Sequence, residues 1–273
     1  MSYVPAIPFT GYAGWTFLNR TMAAQTATLT ASAQYKRDED YFRANIGKID
    51  TAEQLVKDRR LLNVTLGAFG LEGDINNKFF IQKVLSDGTF KTDALANRLA
   101  NKQYQKMSAA FGFGDLAIPR SKISDFADKI LTQYKARQFE TAVGAQDDTL
   151  RLALNLQREL PDIASKTGSS ENAKWFSIMG STPLRTVFQT AMGLPASTAT
   201  LDLDQQLSMF KTRAKAQFGA DTVSQFSDPK AMDGLIRRFI LRSEADAFAQ
   251  SGAGNAALTM LQQTATFARS RRV

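Results

Sequence analysis

Apolar positions recur at steps of three and four residues along almost the whole chain, and no stretch alternates cleanly over six. The pattern therefore predicts helices and gives poor strand signals. Residues 1–13 read as an extended arm, broken by Pro5, Pro8 and Gly11. Trp15, Leu18, Met22, Gln25 and Leu29 form a narrow stripe on a helix reaching about Tyr35, and Lys36-Arg37-Asp38-Glu39-Asp40 follows as a charged break. A helix over Tyr41–Ile46 stops at Gly47. Thr51-Ala52-Glu53-Gln54 is a capping box that opens a helix running to Phe69. Leu55, Leu62, Leu66 and Phe69 share its inner face with Arg59. Asp74 starts the next helix, whose apolar surface holds Ile75, Phe79, Phe80, Ile81 and Val84.

Further along, Thr92 or Asp93 caps Ala94–Leu99, and Ser121 or Ser124 opens a long helix carrying Ile123, Phe126, Ile130 and Tyr134. Asp147 opens Leu150–Leu160, expected to end before Pro161. Ser170, Thr182-Pro183, Asp202 with Gln205, and Asp228-Pro229 mark four more helix entries. Ala257, Leu258, Leu261, Ala265 and Ala268 make a last stripe before Arg269, Arg271 and Arg272.

One motif organises this series. Leu61 to Leu71 and Leu184 to Leu194 both read Leu-x-x-Val-x-x-x-Ala-(Phe/Met)-Gly-Leu, and Ala110-Phe111-Gly112-Phe113 repeats the tail. Each predicts a helix stopped by a left-handed glycine, with the next apolar residue folded back on the last turn. Leu71 would return onto Leu66, Leu194 onto Phe188, and Phe113 onto Met107. Two flanking blocks accompany the motif. Tyr41-Phe42 with Ile46-Gly47 matches Trp175-Phe176 with Met179-Gly180, and Asp93-x-Leu95-x-x-Arg98-Leu99 matches Asp233-x-Leu235-x-x-Arg238-Phe239. Three blocks in one order, twice, predict two related helical modules in an all-α fold, an irregular helical bundle. The segmentation is an arm and helix over 1–36, module 1 over 37–120, a helical connector over 121–168, module 2 over 169–251, and a C-terminal helix over 252–273.

Composition narrows the chemistry. The 273 residues contain neither cysteine nor histidine. That excludes disulfides, Cys/His zinc sites, Ser-His-Asp and Cys-His catalysis, and histidine acid–base steps. No apolar run approaches the roughly 18 residues of a membrane span, and no Sec signal precedes the first helix. A net charge of +8 allows an acidic partner, but the charges are scattered. Gly252-Ala253-Gly254-Asn255-Ala256-Ala257 imitates a dinucleotide fingerprint without the strand that fingerprint needs, so a hinge is the better reading. Asp202 and Asp204 read as helix-start acids, and Arg237, Arg238 and Arg242 as a solvated face rather than a nucleic-acid surface. No catalytic, cofactor-binding or metal-ligating residue is assigned, and the expectation is that no enzyme activity and no cofactor are present.

The chain resembles a bacterial family catalogued as domain of unknown function 1217. The resemblance rests on Gly14-Trp15-Thr16-Phe17-Leu18, Arg20-Thr21, Gln25, Asp58-Arg59-Arg60-Leu61-Leu62, Gly67–Leu71, Asp74–Ile81, Ala94–Leu99, Ala191–Pro195, Asp228-Pro229-Lys230 and Ile236–Phe239. Members are often encoded among flagellar genes. The resemblance therefore implies a flagellar structural, assembly or accessory protein working through protein partners. It would reside in the cytoplasm or in the flagellum by a non-Sec route. A basic helical module binding nucleic acid or another acidic ligand is the alternative. The narrow stripes at the two ends of the chain would dock on the protein's own body, or else pack together or dock on a partner.

Overall fold

The computed structural model describes residues 3–250 and Gly252. It is 75% helical, with 13 α-helices and no strand among the described residues. In chain order they are α1 (Gly11–Ala31), α2 (Ala33–Asn45), α3 (Ala52–Lys57), α4 (Arg59–Phe69), α5 (Lys78–Asp87), α6 (Leu95–Arg98), α7 (Gln103–Phe111), α8 (Phe126–Gly144), α9 (Asp148–Ala164), α10 (Glu171–Gly180), α11 (Thr182–Met192), α12 (Leu203–Phe218) and α13 (Pro229–Gln250). The chain forms two compact units. Unit 1 takes the residues up to Pro8 and Thr16–Arg151, and unit 2 takes Phe9–Trp15 and the described residues from Leu152 onward.

This division differs from the five segments read from the sequence. The stretch 121–168 is not a separate connector: α8 packs along α4 inside unit 1, and all of α9 after Arg151 counts with unit 2. Ile130, Leu131 and Tyr134 of α8 belong to the same buried cluster as Leu61, Val64 and Ala68 of α4. Burial of that face ties the helix to module 1, a tie that spacing along one helix does not reveal. The predicted helix over 252–273 lies outside the described residues.

In unit 1, α4 is the central helix. Every apolar position of the repeated motif is buried: Leu61, Val64, Ala68, Phe69 and Leu71. The same holds in unit 2 for Leu184, Val187, Ala191, Met192 and Leu194 of α11 and the residue pair after it. Both helices end as predicted. Gly70 has φ +69° and Gly193 φ +65°. Leu71 N–H donates to the Leu66 carbonyl and Leu194 N–H to the Gln189 carbonyl, each at 2.9 Å. Gly70 and Gly193 N–H close the inner bonds to Gly67 and Thr190, completing two Schellman caps. Gly112 is also left-handed, at φ +69°, and Phe113 stacks on Phe111 and packs against the buried cluster that includes Met107. Its amide makes only the single bond to Ser108, so the chain leaves α7 at another angle.

The two units share an order. A helix, a central helix with its glycine cap, a short 3-10 turn, further helices, a second 3-10 turn and a long helix appear in each: α2, α4, α8 in unit 1 and α10, α11, α13 in unit 2. The long helix packs on the central one in both, α8 on α4 and α13 on α11. This corrects two details of the alignment. Phe42 and Trp175, both fully buried, stand five residues before Gly47 and Gly180, so Phe42 matches Trp175, and Phe176 is exposed. The Asp93 block falls on the four-residue α6, whereas the Asp233 block falls on α13. By packing, the counterpart of α13 is α8.

Other local differences have local causes. Lys36–Asp40 is helical, because Ser32 caps α2 and the pairs Gln34–Asp38 and Glu39–Arg43 brace its exposed side. The helix expected over 52–69 breaks at Asp58, whose carboxylate accepts the Arg60 and Leu61 amides and starts α4 afresh. Asp74 lies in a 3-10 turn and α5 begins at Lys78, which leaves Phe79 exposed. Helix α9 continues through Pro161 to Ala164, with Leu160 and Ala164 both buried.

Two substitutions test this frame. Gly70→Ala and Gly193→Ala should each destabilise by about 1 kcal/mol, because an L-residue strains at positive φ. Denaturant melts in which both variants match the parent would refute the cap assignment. Gly67→Ala should cost about 1–3 kcal/mol by overpacking, since its new methyl would lie 2.6 Å from the Tyr134 ring. A rise in stability there, as helix propensity alone would give, would show that the ring yields.

Candidate functional site

A cleft of about 920 Å³ opens in unit 1, lined by residues 3–5, the end of α1, the start of α2 and residues of α8 and just beyond it. Tyr35 and Tyr134 stack in it with ring centres 5.6 Å apart. Gly67 makes this possible: with no side chain there, α4 lets the Tyr134 ring lie against its backbone. Burial pushes Tyr35 up to about 12, helped by the charge of Glu39. Tyr134 is raised further by burial and by the carboxylate of Asp38, to which it is hydrogen-bonded. Both phenols thus stay protonated at neutral pH and act as hydrogen-bond donors and stacking surfaces rather than as bases.

The arm forms one wall, and side-chain amides hold it. Gln25 Oε1 accepts the Ala6 N–H at 2.8 Å, while Gln25 Nε2 donates to the Ala6 carbonyl at 3.0 Å. One glutamine therefore reads both backbone groups of a single residue, as a neighbouring strand would. Thr21 Oγ1 accepts the other Nε2 proton at 2.9 Å and fixes the amide. Gln146 Nε2 donates to the Pro5 carbonyl at 2.8 Å. The Tyr3 hydroxyl donates to Gln25 Oε1, and its ring lies against Phe139. Gln25 was visible in the sequence as a polar member of an apolar stripe. Gln146 gave no signal and Tyr134 showed only as a member of an apolar face, because their roles here depend on partners about a hundred residues away or more.

The candidates taken from the sequence lie elsewhere. Asp202 caps α12 by accepting the Gln205 amide at 2.8 Å. Asp204 borders a shallow hollow of about 420 Å³ in unit 2 with Asn172, Lys211, Lys215 and Asp221. The three arginines of α13 have internal tasks. Arg237 lies over the Tyr12 ring, Arg238 Nε donates to the Ala191 carbonyl at 2.8 Å, and the Arg242 guanidinium covers Gly193. In unit 1, Arg137 covers Gly70 in the same way, so each central helix meets a cation at its negative end. Gly252 is left-handed and exposed; the rest of the fingerprint-like segment and the terminal arginines lie outside the described residues. Among the described residues no three carboxylates converge as a metal site would require.

Two polar knots went unrecognised in the sequence. Asp115 gathers the Thr89 amide and hydroxyl and the Phe90 amide, at 2.7 to 2.9 Å. In unit 2, the buried Lys174 ammonium donates to the Ala164 carbonyl at 2.9 Å and to Ser224 Oγ, and sits 3.1 Å from Glu171. Glu171 also accepts the Val223 amide at 2.6 Å. For both carboxylates burial works against ionisation, but the converging donors outweigh it, and both end below their ordinary range. Their lowered values mean that the stabilisation is present above the unfolded-state pKa and is lost as the pH falls through the folded-state value.

The protein should accordingly melt earlier as the pH drops below about 4, with Asp115→Asn and Glu171→Gln each flattening that dependence. A parent and variants with parallel pH profiles would refute the assignment. For the arm, Gln25→Ala should speed hydrogen exchange at the Ala6 amide by about tenfold, the worth of one hydrogen bond, while leaving the global melting point nearly unchanged. Unaltered exchange would show that the clamp does not hold the arm.

Comparison with known proteins agrees with this architecture. A crystal structure of protein AGR_C_984 from Agrobacterium tumefaciens superposes with a TM-score of 0.71 over 88% of this chain and 98% of its own, at 22% identity. At that identity the likeness speaks for the fold. Comparison with curated proteins gives no match. The family described as protein of unknown function (DUF1217) matches residues 68–232, from the last turn of α4 into α13. With well over half its length matched in this way, the chain belongs to that family.

Proposed function

We propose that the protein is a non-enzymatic, flagellum-associated structural, assembly or accessory component that works through protein contacts. The observation that carries the protein-contact part is large apolar side chains left on the surface of unit 1: Phe79 is 90% exposed, Phe90 71% and Ile118 72%. Phe90 and Ile118 flank the Asp115 knot, which braces the two loops that carry them. Large apolar groups held out on a braced frame suit a partner interface. The flagellar part is supported by the gene setting of the family that the sequence resembles. No described helix is long and apolar enough to cross a membrane. The internal use of Arg237, Arg238 and Arg242 weighs against the nucleic-acid alternative, because nucleic-acid binding needs free cations aligned on one face.

A strain lacking the gene should lose motility or show altered filaments under the microscope, and wild-type expression should restore both. Normal motility and filaments would reject the flagellar reading. Restoration with Phe79→Ser, Phe90→Ser and Ile118→Ser combined should fail although the variant folds, since exposed positions change stability by about 0.5 kcal/mol or less. Full restoration would exclude these side chains as the contact.

A further inference from the structure

The seat of the arm has features that its own arm does not exhaust. Its main bonds address backbone: Gln25 takes both groups of Ala6, and Gln146 takes the Pro5 carbonyl. Tyr3 adds one hydroxyl bond and one ring contact. Any copy of the segment Tyr3-Val4-Pro5-Ala6 can make the same set. Of residues 3–8 only Pro5 is buried, and Val4 is 70% exposed. The arm can therefore leave without opening the core, at the low-stability end of local fluctuations. Beside it the cleft of about 920 Å³ gives an incoming segment room to approach.

The tether favours exchange as well. Residues 7–10 join the arm to α1, and four extended residues reach only about 14 Å. Pro8 fixes its own φ and holds Ile7 extended, while Gly11 turns the chain at φ +59°. A short, stiff hinge gives the arm little slack on its own chain and loses little when the arm points outward. We propose that this seat also accepts the arm of a second copy, so that two copies join by reciprocal exchange of residues 3–8. The inference goes beyond the proposed function and does not depend on it. The contacts are identical in the closed and exchanged forms, so the balance is set by protein concentration and by the hinge.

The probe is a fluorescent peptide of residues 3–8, titrated into a chain that begins at Phe9 and retains the helical circular dichroism of the parent. The expected result is saturable binding that weakens at least tenfold with Gln25→Ala. Absence of saturable binding, or binding indifferent to Gln25→Ala, would overturn the proposal. If the shortened chain fails to fold, the full chain decides, because it has no cysteine to confuse labelling. One batch carries a donor dye on Val4→Cys and the other an acceptor on Thr28→Cys, both exposed positions. Energy transfer that appears on mixing, grows with concentration and disappears with Gln25→Ala supports exchange. No transfer at any concentration, or transfer that survives Gln25→Ala, refutes it.

Discussion

A helix that stops within a packed unit has to find partners for its last carbonyls. Both central helices of this protein meet that constraint in one way. A left-handed glycine turns the chain back, two backbone bonds close over the end, and a guanidinium from the neighbouring long helix covers the glycine. The rest of each unit depends on it. The cap sets the direction in which Leu71 or Leu194 returns to the core, and Arg137 of α8 or Arg242 of α13 lies against the capping glycine. Arg242, one of the arginines that gave α13 the look of a basic surface, is part of this device.

The duplication becomes clearer in these terms. The two units agree where physics leaves little choice, in the buried face of the central helix, its cap and the long helix across it. They differ where choice is wide. Unit 1 inserts α3 before α4, braced by Asp58, whereas α10 runs directly into α11. Unit 1 also fills the space before α8 with three short helices, whereas unit 2 uses the single α12. Gly67 in α4 stands where α11 has Thr190, and only unit 1 lays a tyrosine ring against that position. The cleft and the arm seat are consequently features of one unit and not of the repeat.

Polar side chains do much of the fastening between segments far apart in sequence. Asp115 reaches two loops through backbone amides, Lys174 ties α10 to the 3-10 turn before α13, and Gln25 and Gln146 hold the arm. Asp115, Lys174 and Gln25 each make several bonds, and loss of Lys174 would leave the buried Ala164 carbonyl without its partner. The surface ion pairs, by contrast, are mostly exposed and weak.

The sequence by itself determined the all-α class, the glycine stops and the repeated motif, because these depend on interactions within about a turn of helix: periodicity, capping and left-handed backbone. It also excluded cysteine and histidine chemistry, which needs only a count. Tertiary structure alone decided that α8 belongs with α4, that Phe79 faces outward, that Phe42 matches Trp175, and that Arg238 and Arg242 of α13 meet the end of α11. It alone placed Gln25, Gln146 and the two tyrosines around one cleft. Each of those outcomes depends on which surfaces meet across tens of residues or more, and the spacing of residues along one helix carries no information about the helix that will face it.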